Sequence, residues 1–123
     1  MLPSDAWSYI VGLFEGRGWV TTQRRKGRAT EYVNLGIAMQ DPEPLLAVQG
    51  FLGGGRVNGP YNRAGGGVVE RGNYAQRYVL MLTRREDIDP FLRQIYRHLS
   101  PRRREAVHMA MARDTRGPWE APA

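Results

Sequence analysis

Ile10-Val11-Gly12-Leu13-Phe14-Glu15-Gly16-Arg17-Gly18 is the stretch on which the reading of this 123-residue chain turns. Apolar residues at Ala6, Trp7, Ile10, Val11, Leu13 and Phe14 recur at the spacing of one helical face. Ser4 is the expected N-cap, with Asp5 in the first turn where the helix dipole favours negative charge. The helix is expected to end near Glu15, because Gly16 and Gly18 bracket Arg17. Gly12 and Gly16 are four residues apart, so they share a face and let another backbone come close. That backbone belongs either to a second such helix or to this chain's own sheet.

Downstream, Trp19 to Lys26 reads as a strand and Gly27-Arg28 as a turn. The next strand alternates: Val33, Leu35, Ile37 and Met39 fall on one side, Tyr32, Asn34, Gly36, Ala38 and Gln40 on the other. The result is a hairpin with one greasy and one polar face. Asp41-Pro42 opens a short helix carrying Leu45, Leu46, Val48 and Phe51, and Gly53-Gly54-Gly55 stops it. Arg56 to Tyr61 is a third strand, Asn62 to Asn73 a glycine-rich loop, and Tyr74 to Thr83 a fourth strand. A helix over Asp87 to Leu99 carries Ile88, Phe91, Leu92, Ile95, Tyr96 and Leu99 on one stripe, with Asp87 or Asp89 as cap and Pro90 in its first turn. Ser100-Pro101 starts a last helix that runs through Ala112. The expected organisation is one domain over residues 1–112 and a loosely held tail over 113–123, in which Trp119 is a candidate to dock.

Composition narrows the function classes. One compact core is all that 123 residues allow, and 41% hydrophobic residues suit a globular chain. No apolar run approaches the ~20 residues that span a bilayer, and the start lacks the pattern of a secretory signal. With no cysteine there are no disulfides or thiolate metal sites, which fits a cytoplasmic protein. Two histidines argue against a His-rich metal centre; His98 and His108 read as surface or partly buried residues on helices. The net charge is +6 and the pI about 10.3. Lys26 is the sole lysine against 17 arginines, a balance that a GC-rich genome would also favour. Such a chain points to nucleic acid before an acidic membrane surface, since arginine grips phosphates and guanine edges with a planar fork.

The opening stretch resembles the LAGLIDADG motif of homing endonucleases. Gly12, Leu13 and Gly18 are identical to it, Glu15 replaces its first aspartate conservatively, and Tyr9 before it is also typical. Ile37-Ala38-Met39-Gln40-Asp41, then Leu45-Leu46 and Phe51 to Val57, are similar to the family's strand-to-helix passage and glycine turn. Phe91 to Leu99 and the cluster Arg102-Arg103-Arg104 resemble its later helix and following turn. The resemblance covers residues 4 to 112 and implies an α+β fold in the order αββαββα, with a four-stranded antiparallel saddle and C-terminal helices. It also implies a homodimer, because one motif is present and two such helices pack together in this family. Val11, Gly12, Glu15 and Gly16 are then the expected seam.

A two-fold saddle matches a pseudo-palindromic duplex, and a β-ribbon fits its major groove. The expected DNA-reading residues are Thr21, Gln23, Arg25, Tyr32 and Asn34 on the hairpin, extended by Arg56, Asn58 and Arg77. Arg24, Lys26 and Arg28 suit phosphates near the turn. Family enzymes cut with a carboxylate at the eighth motif position and divalent metal, and here that position is Arg17. A guanidinium cannot coordinate a cation, but it can clamp phosphate. Glu15, two residues away on a helix, points about 200° elsewhere and is no simple replacement. Gln40 and Arg102 match supporting polar and basic positions. The expectation is therefore duplex binding with weak or no cleavage and no cofactor. An active endonuclease with displaced ligands would need Mg²⁺, and a maturase-like chain would bind RNA instead.

Overall fold

A computed structural model describes residue 2 and residues 5–24, 27, 30–62 and 76–122. The elements are α1 (Ala6–Arg17), β1 (Gly18–Arg24), β2 (Glu31–Met39), α2 (Pro42–Leu52), β3 (Arg56–Asn62), β4 (Gln76–Leu82), α3 (Arg85–Ile95) and α4 (Pro101–Arg113). A 3₁₀ turn at Tyr96–His98 joins α3 to α4. The strands form one antiparallel sheet in the order β1-β2-β4-β3, so β1 and β3 are its edges. This is the α+β order that the alternating and helical patterns predict.

Register assigns the two faces. Val20 pairs with Leu35, Ile37 with Leu80, and Leu80 with Val57. These side chains point toward the helices. Val33, Leu35, Ile37, Leu80 and Leu82 join Ile10 and Phe14 of α1, Leu45 and Val48 of α2, four residues of α3 (Ile88, Phe91, Leu92, Ile95) and Val107 and Met111 of α4 in one buried cluster. Phe14 meets Phe91 edge-on with ring centroids 5.7 Å apart. Burying a ring of this size contributes about 2–3 kcal/mol, which is why α1 turns Ile10 and Phe14 inward and leaves Gly12 and Gly16 out.

Several helix ends follow the sequence signals. Asp41 caps α2 by accepting the Glu43 N–H at 3.0 Å, and Gly53 closes it in the left-handed conformation (φ 74°). Ser100 accepts the Arg103 N–H at 3.3 Å and caps α4, which extends one residue past Ala112. Other ends differ. Asp5 caps α1, accepting from the Ser8 N–H at 3.1 Å and the Ser8 hydroxyl at 2.8 Å; Ser4 lies outside the described residues. The helix also continues to Arg17, because Gly16 keeps helical backbone and the stop comes at extended Gly18.

Helix α3 starts at Arg85 rather than at Asp87 or Asp89, which leaves Pro90 inside it and not in its first turn. Proline there forgoes one bond to the carbonyl four residues back, that of the exposed Glu86. The earlier start is held by Arg85, whose side chain pairs with Asp89 at 2.7 Å and donates to the Gly117 and Pro118 carbonyls. The same Asp89 hydrogen bond raises the Arg85 pKa. In β3, Gly59 (φ 133°) and Pro60 sit at a register shift between Asn58 and Tyr61, on an edge strand where a missing N–H is tolerated. The fourth strand is described from Gln76, and the expected loop beyond Asn62 lies outside the described residues.

The tail departs most from expectation. Residues 114–119 are tied down rather than loosely held. β4 stops opposite Leu35, and Asp114–Arg116 take its place beside the first half of β2. Asp114 accepts the Val33 N–H at 2.9 Å, the Thr115 N–H donates to the Glu31 carbonyl at 2.9 Å, and Arg116 donates to the Val33 carbonyl at 3.1 Å. Burial acts to raise the Asp114 pKa, but hydrogen bonds from the Arg116 side chain, Val33 and the Arg116 backbone outweigh it and bring it to about 2. Trp119 docks edge-on against Tyr96, centroids 5.5 Å apart.

Candidate nucleic-acid interface

The face of the sheet turned away from the helices carries Trp19, Thr21 and Gln23 of β1, opposite Gly36, Asn34 and Tyr32 of β2. On the other side, Ala38 pairs with Val79, and Arg56, Asn58 and Tyr61 of β3 stand opposite Met81, Val79 and Arg77 of β4. The strand alternation thus gathers Thr21, Gln23, Tyr32, Asn34, Arg56, Asn58 and Arg77 on one surface, as the sequence predicts. Thr21, Gln23, Arg56 and Arg77 are exposed; Tyr32 and Asn58 are half-buried. A shallow cleft of about 420 Å³ continues the face past Arg56 and Asn58 to Thr83 and Arg84.

Asn34 is a correction. It is 2% exposed, so it does not offer its edge to a groove, and its Oδ1 has no hydrogen-bond partner among the described residues. It lies on an inner strand between β1 and the docked tail, a setting that alternation alone does not reveal. Arg24 occupies the other parity, opposite Glu31, with an exposed guanidinium 3.8 Å from that carboxylate. A surface pair at this distance contributes about 0–1 kcal/mol and leaves the charge available. Arg25, Lys26 and Arg28 lie outside the described residues.

The centre of the face is apolar, which the sequence reading missed. Trp19 lies across Gly36 so closely that a Cβ there would meet its ring at 2.4 Å. Val79, 6% exposed, and half-buried Ala38 and Met81 complete this strip. The signal was present in the small residues at 36 and 38, which clear room for a ring on a face otherwise polar.

Below the sheet, α1 presents Gly12 and Gly16 to open space: both are exposed, and a Cβ at either position would touch nothing within 4 Å among the described residues. Packing of Gly12 on the chain's own sheet is therefore ruled out. Val11 is half-buried against the core. Glu15, an expected seam residue, is engaged within the chain: at the start of α4 it accepts from the Ser100 N–H and, at 3.2 Å, from the Ser100 hydroxyl. Arg17 is exposed at the last position of α1, where a cation suits the helix dipole, and makes no ion pair among the described residues. Gln40 and Arg102 are exposed, as are His98 and His108.

With this geometry in place, known structures can be set beside it. No family model and no curated protein matches the chain. Solved structures do. The homing endonuclease I-TnaI superposes with a TM-score of 0.61 at 18% identity, over 85% of this chain and 67% of that one. The archaeal intron-encoded homing endonuclease I-Vdi141I, complexed with DNA, gives 0.56 at 18%, over 82% and 62%. I-CvuI, in complex with an uncleaved DNA target, gives 0.60 at 16%, over 85% and 62%. The fold is that of the LAGLIDADG homing endonucleases. The chain spans only 31% of the LAGLIDADG meganuclease I-AabMI, matched over 78% of its own length.

The divalent cation implied by the LAGLIDADG resemblance asks for hard oxygen ligands. The end of α1 supplies a guanidinium at Arg17, and the neighbouring Glu15 carboxylate is held by Ser100. Among the described residues, no three His, Asp or Glu gather into a group able to hold a metal. These residues do not fit the ion. No described helix is long and apolar enough to cross a membrane.

Proposed function

We propose that this protein binds double-stranded DNA as a homodimer, through the helix-free face of its sheet, without efficient strand cleavage. The observation that carries the reading is the joint exposure of Thr21, Gln23, Arg56 and Arg77 on that face. Glutamine and threonine offer hydrogen bonds to base edges, and arginine reads guanine or grips phosphate. The open glycine pair on α1 supports self-association, since two such helices can approach to backbone contact. A dimer would set two sheets side by side and bring both Arg17 guanidinium groups to the seam. Two cations there repel a metal ion and attract the phosphates of the duplex. An active-nuclease reading gains nothing from Glu15, whose carboxylate is already occupied. An intracellular, nucleoid-facing role follows from this reading.

The experiment is selection from random duplexes, followed by binding and cleavage assays of the winners with Mg²⁺ and with Mn²⁺. The expected outcome is a pseudo-palindromic site bound by a dimer mass and left intact. Robust double-strand cutting overturns the non-cleaving part. A monomer on DNA overturns the dimer, and preference for structured RNA over every selected duplex overturns the ligand.

A further inference from the structure

We infer that Arg103 is a positioning residue for Arg17, holding the end of α1 so that the Arg17 guanidinium meets the DNA backbone in one place. The inference rests on the duplex-binding reading above.

Arg103 stands in the first turn of α4 and sends its side chain away from its own helix. One nitrogen donates to the Gly18 carbonyl at 2.8 Å and the other to the Glu15 carbonyl at 2.9 Å. The two acceptors flank Gly16 and Arg17, so the fork bridges the chain on either side of Arg17. Its central carbon lies 5.2 Å from the centroid of the Phe14 ring, which supports the guanidinium from below. The clasp is returned from α1, because the Glu15 carboxylate accepts from the Ser100 N–H and hydroxyl. Gly18 completes the junction: a Cβ there would meet Phe14 Cδ1 at 2.5 Å, so the chain leaves α1 pressed against that ring.

Such bracing matters at this place. Gly16, one of the two glycines of α1, departs readily from helical backbone, and it directly precedes Arg17. The last turn of a helix frays unless its carbonyls find donors. Arg103 supplies donors to the carbonyls on both sides of Arg17, the exposed cation of α1 that makes no ion pair among the described residues. Lysine at position 103 keeps the charge but cannot bridge both acceptors with a fixed fork.

The test is a double-mutant cycle with Arg103→Lys and Arg17→Ala, read as affinity for a selected duplex at fixed salt and below the melting temperature of every variant. Arg103→Lys is expected to weaken binding about fivefold in the otherwise unchanged protein and less than about twofold in the Arg17→Ala background, because contacting residues couple. Equal losses in both backgrounds overturn the inference, since Arg103 would then touch DNA itself or hold the whole face. Unchanged affinity on Arg103→Lys overturns it as well. Where Arg103→Lys does not fold, Arg103→Gln, whose side-chain amide cannot span both carbonyls as the guanidinium fork does, takes its place with the same expectations. Hydrogen exchange without DNA separates the two levels: the Gly18 amide, bonded to the Phe14 carbonyl, should exchange at least about tenfold faster in Arg103→Lys. Faster exchange with no duplex bound by the unchanged protein defeats the DNA reading and leaves the clasp standing; unchanged exchange defeats the clasp.

Discussion

Arg116 and Arg17 carry the same guanidinium and meet opposite surroundings. Arg116 donates to both oxygens of Asp114, to the Val33 and Thr83 carbonyls, and lies 5.2 Å from the Tyr32 ring centroid. Arg17 ends α1 in the open, with no ion pair among the described residues. The same division runs through the molecule. Arg85, Arg103 and Arg104 are filled by carboxylates and carbonyls, whereas Arg56, Arg77 and Arg102 are exposed. A net charge of +6 counts both kinds alike. What separates a ligand-facing arginine from a fold-holding one is whether its donors are already taken.

The largest effect should come from emptying the occupied kind. Asp114→Ala leaves Arg116 and the Val33 N–H without their buried acceptor and should destabilise the protein by about 3–5 kcal/mol, read by urea or thermal unfolding. A loss below about 1 kcal/mol would mean that the tail is not part of the folded unit. Acid should act on the same group. The Asp114 pKa falls from 3.8 to about 2 on folding. Its contribution is therefore fully present above about pH 4 and is lost as the pH drops toward about 2, roughly 2 kcal/mol in all. Stability measured across that window should fall in the unchanged protein and stay flatter in Asp114→Asn. The smallest effect belongs to the open kind. Arg17→Ala and Arg56→Ala should each shift unfolding by no more than about 0.5 kcal/mol while weakening DNA binding and lowering its salt slope. A larger stability loss at either position would erase the distinction.

How far the sequence could be read follows from the range of each signal. The alternation of β2 and the caps at Asp41 and Ser100 are local patterns, and the structure carries them. The shared face of the residues proposed to meet DNA was legible for the same reason, since a period of two sorts Thr21, Gln23 and Arg56 without knowledge of anything distant. Asn34 obeys the same period, yet its burial depends on what lies beside β2. Helix α3 begins early because Arg85 reaches Asp89 and the tail, which no cap pattern encodes. Glu15 and Ser100 are 85 residues apart, so the clasp between them could not be foreseen.

The docked tail also bears on the order in which the molecule can be assembled. The bonds that close the first half of β2 join residues 81 to 84 positions apart. A growing chain has made the whole hairpin long before Asp114, Thr115 and Arg116 exist. Until they do, the Glu31–Val33 stretch presents bare N–H and C=O groups of the kind that pair with other chains. The three-residue segment that finishes the sheet thus covers, in the completed chain, an edge that stays open for as long as the chain is growing.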